Sequence, residues 1–169
     1  IPFEKLKQFY DAIIIATGMG IDRKLGIEGD NKLGCYGAAE FVGWYNGHPD
    51  YKNLITNFNG ETAVIIGNGN VAIDCARVLA KTSLEMAFSD ITEYSSTTIQ
   101  NSNLKNIYII GRRGPLDAKF TTVEIREMGE LQDCNSILAD GTLSQIPKNI
   151  NLENIEKQYK ILTSFPEKS

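Results

Sequence analysis

Two glycine-bearing turns hold the residues of this chain whose types and spacing are suited to chemistry. Gly67-Asn68-Gly69-Asn70-Val71-Ala72 closes the apolar run Ala63–Ile66, and Gly111-Arg112-Arg113-Gly114-Pro115 closes a second run, Ile107–Ile110. A glycine-rich turn between a strand and a helix is where a dinucleotide pyrophosphate rests on a helix N-terminus. Gly67 allows the tight turn, and Gly69 has no Cβ to hold the pyrophosphate away from the backbone. Ala72, in place of a third glycine, is small enough for close helix–strand packing. Backbone N–H groups from Asn68 to Val71, aided by the helix dipole, would hold the phosphate oxygens. The second turn puts two guanidiniums where an NAD-binding protein carries Asp or Glu for the ribose 2'-hydroxyl. A carboxylate repels a 2'-phosphate, whereas an arginine can grip it with a bidentate fork. The pair of turns therefore predicts a binder of NADP(H) rather than NAD.

These turns need elements to carry them. The runs Ala63–Ile66 and Ile107–Ile110 read as strands without polar alternation. A helix is predicted from about Asn70 to Lys81, with Val71, Ala72, Cys75, Val78 and Leu79 facing a sheet and Asn70, Asp74, Arg77 and Lys81 on the other side. The polar stretch Ser83–Asn103 reads as an extra helical excursion or a mobile loop. It delays the arginine pair to about 45 residues after Gly67, against the usual ~20 for the acidic residue of the dinucleotide fold. Thr121-Thr122-Val123-Glu124 has capping-box spacing and announces another helix, with Val123, Met128 and Leu131 as its apolar positions. Glu124 can serve as the box's acidic partner, or fold back to the ribose or orient an arginine; spacing leaves these open. Earlier in the chain, residues 3–9 read as a short helix or turn, Tyr10–Ala16 as a buried strand ending in Thr17-Gly18-Met19-Gly20, and residues 21–35 as loop and turns. Phe41–Pro49 is an aromatic cluster ending in a turn, in which Trp44 and Tyr45 could line a gap between domains and His48 is a surface residue. Residues 133–143 are expected to be irregular and Asn154–Leu162 to form a short helix.

Bulk properties exclude several classes. The 169 residues suffice for one domain, and a formal net charge of −4 disfavours nucleic acid as a partner. No apolar stretch approaches the roughly 20 residues of a membrane-spanning helix, and Ile1-Pro2-Phe3 opens no signal or transit pattern. Cys35, Cys75 and Cys134 are odd in number and widely spaced, which fits a reducing compartment and neither a disulfide framework nor a metal site. Cys75 is expected in the core. No nucleophile–histidine–acid set and no Tyr-x-x-x-Lys pair is present, so no catalytic residue is assigned: the chain binds a reductant without visible means of using it.

The segments FVGWYNGHP (Phe41–Pro49), AVIIGNGNVAIDCARVL (Ala63–Leu79), DIT (Asp90–Thr92) and IIGRRGPLDAKFTTVEIREM (Ile109–Met128) resemble the adrenodoxin reductase family of ferredoxin–NADP reductases. YDAIIIATG (Tyr10–Gly18) is similar to the strand leading from the FAD portion into the nicotinamide-nucleotide portion of flavoproteins with two dinucleotide-binding domains. The likeness runs from about residue 10 to 131. It implies a Rossmann-like α/β fold with a central parallel sheet flanked by helices, and a reaction passing hydride from NADPH to FAD and single electrons to an adrenodoxin-type ferredoxin. It also implies coenzyme contacts at Asn68, Gly69, Asn70 and Val71 for the pyrophosphate, at Arg112 and Arg113 for the 2'-phosphate, and at Glu124. Arg126 matches a basic position on the face offered to the acidic iron–sulfur partner. Where the family often has Gln, this chain has Asn68. The resemblance makes residues 1–169 the NADP-binding portion of a longer flavoenzyme, with residues 1–20 at the domain junction, 61–131 as the βαβ core and the FAD domain elsewhere on the polypeptide. A mitochondrial location is implied, with the bacterial cytoplasm as the alternative. The competing readings are the matching lobe of a glutamate-synthase-like flavoprotein and a stand-alone NADP-sensing module.

Overall fold

The computed structural model describes residues 1–16, 20–55, 58–145 and 156–167. At its centre β1 (Thr62–Ile66) and β2 (Asn106–Ile110) run parallel, in a register that pairs Thr62 with Asn106 and Ile66 with Ile110. Parallel neighbours need a crossover connection, and here it starts with α3 (Asn70–Ala80). Before the sheet lie α1 (Phe3–Leu6) and α2 (Ala38–Tyr45); after it come α6 (Thr122–Met128) and α7 (Glu156–Leu162). The strands predicted at Ala63–Ile66 and Ile107–Ile110 and the helix predicted from Asn70 are thus present within a residue or two at each end.

Two hydrophobic clusters flank α3, and Ile65 of β1 touches both. One joins Ile73 and Ala76 of α3 to Phe120, to Ile125 and Met128 of α6, to Leu131 and to Leu162 of α7. The other joins Cys75 to Phe41 and Trp44 of α2, Ile55 and Ile99. A helix wedged between two clusters buries a wider arc than a single apolar stripe. Ile73 and Ala76 are therefore buried as well as the predicted Ala72 and Cys75, while Val71, predicted to face the sheet, is half exposed at the first turn. Cys75 is a core residue, and burial, with Asp74 and Asp22 nearby, pushes its thiol up to about 11. On α6 the buried positions are Ile125 and Met128; Val123 faces solvent, contrary to expectation, because the helix starts at Thr122 and its inner face falls two residues later.

Ser83–Asn103 is an ordered helical excursion rather than a loose loop. It forms α4 (Ser83–Met86), closed at its start by a Thr82–Glu85 capping box, and α5 (Glu93–Gln100). The Tyr94 hydroxyl donates to the Trp44 carbonyl oxygen at 2.8 Å and the Thr92 N–H to that of Tyr45 at 3.1 Å, fastening α5 to the end of α2. Trp44 is fully buried, stacked on Phe41 and edge-on to Phe58 and Tyr94. It is a core anchor, which corrects the expectation that it lines a gap between domains.

The largest difference lies at the start of the chain. Tyr10–Ala16, read as a buried strand, forms no strand: among the described residues its backbone joins no ladder, and Ile14 and Ile15 are exposed. A strand exists only through a neighbour's hydrogen bonds, and none is alongside. The turn expected at 17–19 lies outside the described residues. One face of the sheet, Ile65, Ile107 and Ile109, packs on the helices; Val64, Ile66, Tyr108 and Ile110 on the other are half exposed. No described helix is long and apolar enough to cross a membrane.

Candidate functional site

The site is built at the C-terminal ends of β1 and β2. Gly67 takes φ +148°, a conformation that side-chain-bearing residues rarely adopt, and its N–H donates to the Ile110 carbonyl oxygen at 2.9 Å. The chain then enters α3 with Gly69 at the N-cap position, so no side chain caps the helix and no acidic residue sits in its first turn. The N–H groups of Ala72 and Ile73 both turn back to the Gly69 carbonyl oxygen, whereas those of Asn68, Gly69 and Val71 find no acceptor among the described residues. Unpaired donors at the positive end of a helix dipole are what an anion requires. The cradle predicted over Asn68–Val71 therefore has a donor set that fits a phosphate.

The arginine turn sits against this cradle. A Cβ on Gly111 would come within 3.0 Å of the Asn68 side chain, so the two turns are in contact where β2 ends. Arg112 and Arg113 are exposed. Arg113 lies 3.6 Å from Asp117, a pair more than half exposed on both sides, while Arg112 has no ion pair among the described residues. Beyond them the chain makes a helical turn at Pro115–Asp117 and comes back to the glycine turn. The Lys119 N–H donates to the Asn68 carbonyl oxygen at 2.7 Å, and the Thr121 N–H to Asn70 Oδ1 at 2.7 Å. The structure thus brings Asn68, Gly69, Asn70 and Val71 together with the segment that carries Arg112 and Arg113.

Of the readings the sequence left open for Glu124, the structure shows the one in which it holds an arginine, here Arg77. The Thr121 hydroxyl accepts the Glu124 N–H at 3.4 Å, which is half of the expected capping box. The return half is missing, because Asn70 occupies the Thr121 N–H. The Glu124 carboxylate instead takes Arg77 Nη1 at 3.0 Å. Arg77 also pairs with Asp74 on its own helix at 3.1 Å and with Glu127, so one largely buried guanidinium gathers three carboxylates and joins α3 to α6 through two of them. That arrangement raises the Glu124 pKa: burial and the neighbouring Asp74 favour the protonated acid, against the pull of Arg77. Arg77 was expected on the outer side of its helix. The i,i+3 spacings Asp74–Arg77 and Glu124–Glu127 were visible in the sequence, but not that one cation would serve both helices.

The model of the pyridine nucleotide-disulphide oxidoreductase family matches residues 4–114. The chain belongs to this family. Among curated relatives, the "NADPH:adrenodoxin oxidoreductase, mitochondrial" of Arabidopsis thaliana is 38% identical over 87% of the chain and 31% of the relative. The "Probable NADPH:adrenodoxin oxidoreductase, mitochondrial" of Dictyostelium discoideum is 42% identical over 94% of the chain and 32% of the relative. Of solved structures, "Mycobacterium tuberculosis FprA in complex with NADPH" superposes with a TM-score of 0.81 at 34% identity, covering 96% of the chain and 37% of that protein. The resemblance to adrenodoxin reductases holds across most of the sequence, and the chain spans about a third of the length of the curated relatives it matches. For a pyridine nucleotide-disulphide oxidoreductase, an uncapped helix N-terminus beside an arginine-bearing turn is the arrangement that a phosphorylated dinucleotide calls for.

Proposed function

We propose that this chain is the NADP(H)-binding portion of an FAD-dependent reductase that delivers electrons to an adrenodoxin-type ferredoxin. The observation that carries this reading is the contact between two turns of opposite equipment: bare backbone donors at the start of α3, and Arg112 and Arg113 beside them. In this reading the pyrophosphate sits on the N–H groups of Asn68, Gly69 and Val71, free among the described residues, with Asn70 beside them. Arg112, with no ion pair among the described residues, and Arg113, whose ion pair among them is the exposed one to Asp117, take the 2'-phosphate. Glu124 acts through Arg77 to hold α3 and α6 together. NADPH supplies hydride when bound, and this chain's residues orient the coenzyme and select it by its 2'-phosphate. In this division of labour the FAD domain, elsewhere on the polypeptide, receives the hydride. Arg126, exposed on α6, belongs to a surface facing the acidic iron–sulfur protein. The mitochondrial names of several relatives support a mitochondrial location, and bacterial relatives make the cytoplasm the alternative.

Calorimetric titration with NADP and NAD tests the assignment. Hydrogen bonds to charged groups contribute about 1.5–3 kcal/mol. Arg112→Ala or Arg113→Ala should therefore weaken NADP roughly 10- to 100-fold and leave NAD nearly unchanged. Equal binding of both coenzymes by the unaltered chain would remove the reading, as would diaphorase turnover by this chain without an added flavoprotein.

A further inference from the structure

We propose that Asn70 is a positioning residue for coenzyme choice: its side chain fixes the arginine turn against the phosphate cradle instead of contacting phosphate itself. This rests on the NADP(H) reading above. Asn70 opens α3, yet its Oδ1 is 2.7 Å from the Thr121 N–H and so is spent on the segment returning from the arginines. Among the described residues Asn70 is the acceptor of that N–H. Its ordinary partner at the start of α6 would be the Glu124 carboxylate, as in a capping box, and that carboxylate is held by Arg77 at 3.0 Å. The path from guanidinium to cradle is short and continuous. Arg113 faces Asp117, Asp117 closes the turn that follows Gly114, Lys119 bonds the Asn68 carbonyl oxygen, and Thr121 bonds Asn70. Backbone hydrogen bonding along this path sets how far the arginines stand from the pyrophosphate. A small misplacement of a ligand-holding group is expensive in binding geometry. Since pyrophosphate is common to both coenzymes and the 2'-phosphate is not, loosening the clasp should act on NADP alone.

The ratio of NAD to NADP dissociation constants, measured by calorimetry on this chain or on a longer polypeptide containing it, reads the effect. Asn70→Ala should lower the ratio about fivefold, the order that one net hydrogen bond carries, through weaker NADP binding. Thr121→Pro removes the donor at a backbone φ of −81° that suits proline. It should lower the ratio to a similar degree, and the double variant no further. Asn70→Asp retains the acceptor; its added charge should weaken both coenzymes together and keep the ratio near that of the unaltered chain. Equal loss of NADP and NAD affinity in Asn70→Ala would overturn the proposal by making Asn70 a direct phosphate ligand. A lower melting temperature with an unchanged ratio would overturn it by making the contact a helix cap only. An unaltered chain without preference for NADP would overturn both this proposal and the reading beneath it, which separates the two failures.

Discussion

The turns beyond β1 and β2 and the segment 10–36 are similar material, rich in glycine, asparagine, aspartate and isolated aliphatic residues, yet they fold by different means. The two turns bond to one another: Gly67 to Ile110, Lys119 to Asn68, Thr121 to Asn70, with Asn68 lying over Gly111. The described residues of segment 10–36 are held mainly by short local turns, such as Asp30 to Ile27, Lys32 to Gly29 and Cys35 to Lys32. Among them, the one side-chain hydrogen bond to a distant residue is the Ala39 N–H, at the start of α2, donating to the Asp22 carboxylate. Its aliphatic residues are left outside: Ile14 is 92% exposed and Leu33 fully so. What separates the two regions is therefore the distance in sequence at which partners are found, and substitution can measure that difference.

The largest contrast is in stability. Trp44 has no exposed surface and meets three aromatic rings. Trp44→Ala should cost about 3–5 kcal/mol, the range for emptying an aromatic core position. Ile14→Ala should change stability by less than ~0.5 kcal/mol, as exposed substitutions do. Urea unfolding followed by far-UV circular dichroism compares them. An Ile14→Ala loss near that of Trp44→Ala would mean that segment 10–16 packs against something, and the contrast between regions would fail.

The same distinction explains what could be read from sequence. β1, β2, α3 and α6 were legible because each announces itself locally: an apolar run, a 3.6-residue periodicity, or Thr121 three residues before Glu124. The glycine and arginine turns were legible as turns because each follows directly on an apolar run that ends in glycine. Tyr10–Ala16 looks equally strand-like, but whether it pairs is decided by residues outside the segment, and the pattern within it carries no trace of them. Which arginine Glu124 holds was hidden for a related reason. Its bond to Arg77 spans 47 positions, and the local capping rule that pointed elsewhere was defeated by Asn70, 51 positions from Thr121. Val71 was placed inward by a single-stripe rule, which a helix wedged between two clusters does not obey, and Val123 was placed inward on a helix whose buried face begins two residues later, at Ile125.

An intermediate effect is expected where the two turns touch. An alanine Cβ at 111 would stand 3.0 Å from Asn68 Cβ and Nδ2, closer than ordinary van der Waals contact, so Asn68 must shift with the cradle it belongs to. Gly111→Ala should cost about 1–3 kcal/mol, as overpacking does, and weaken NADP and NAD alike because the pyrophosphate contact is shared. Gly20, in the other region, has nothing within 4 Å of the corresponding position, and Gly20→Ala should be near neutral when both variants are compared by urea unfolding and calorimetric titration. If Gly111→Ala proved as silent as Gly20→Ala, the packing of the two turns would be too loose to set coenzyme geometry.

The smallest effect concerns protons, and it compares the carboxylate cluster on Arg77 with the exposed Glu4–Lys7 pair of α1. Burial and the proximity of Asp74 raise the Glu124 pKa above its usual value, with Arg77 opposing. The folded chain therefore holds this proton more tightly than the unfolded chain. Its contribution is complete below the unfolded carboxyl pKa of about 4.3 and is lost as pH rises through the raised folded value. Glu124→Gln cannot titrate and keeps the shape of the neutral acid. Relative to it, the unaltered chain should lose stability as pH climbs from about 4 towards neutrality, within the ~0–1 kcal/mol that partly exposed ion pairs contribute. Glu4→Gln, at a pair at least half exposed on both sides, should change stability by less than ~0.5 kcal/mol. Urea midpoints across this pH range settle the sign. If the unaltered chain instead gained on Glu124→Gln as pH rose, attraction to Arg77 would outweigh the crowding of three carboxylates, and α3 and α6 would be joined by a true ion pair rather than by a guanidinium with more acid around it than it can neutralise.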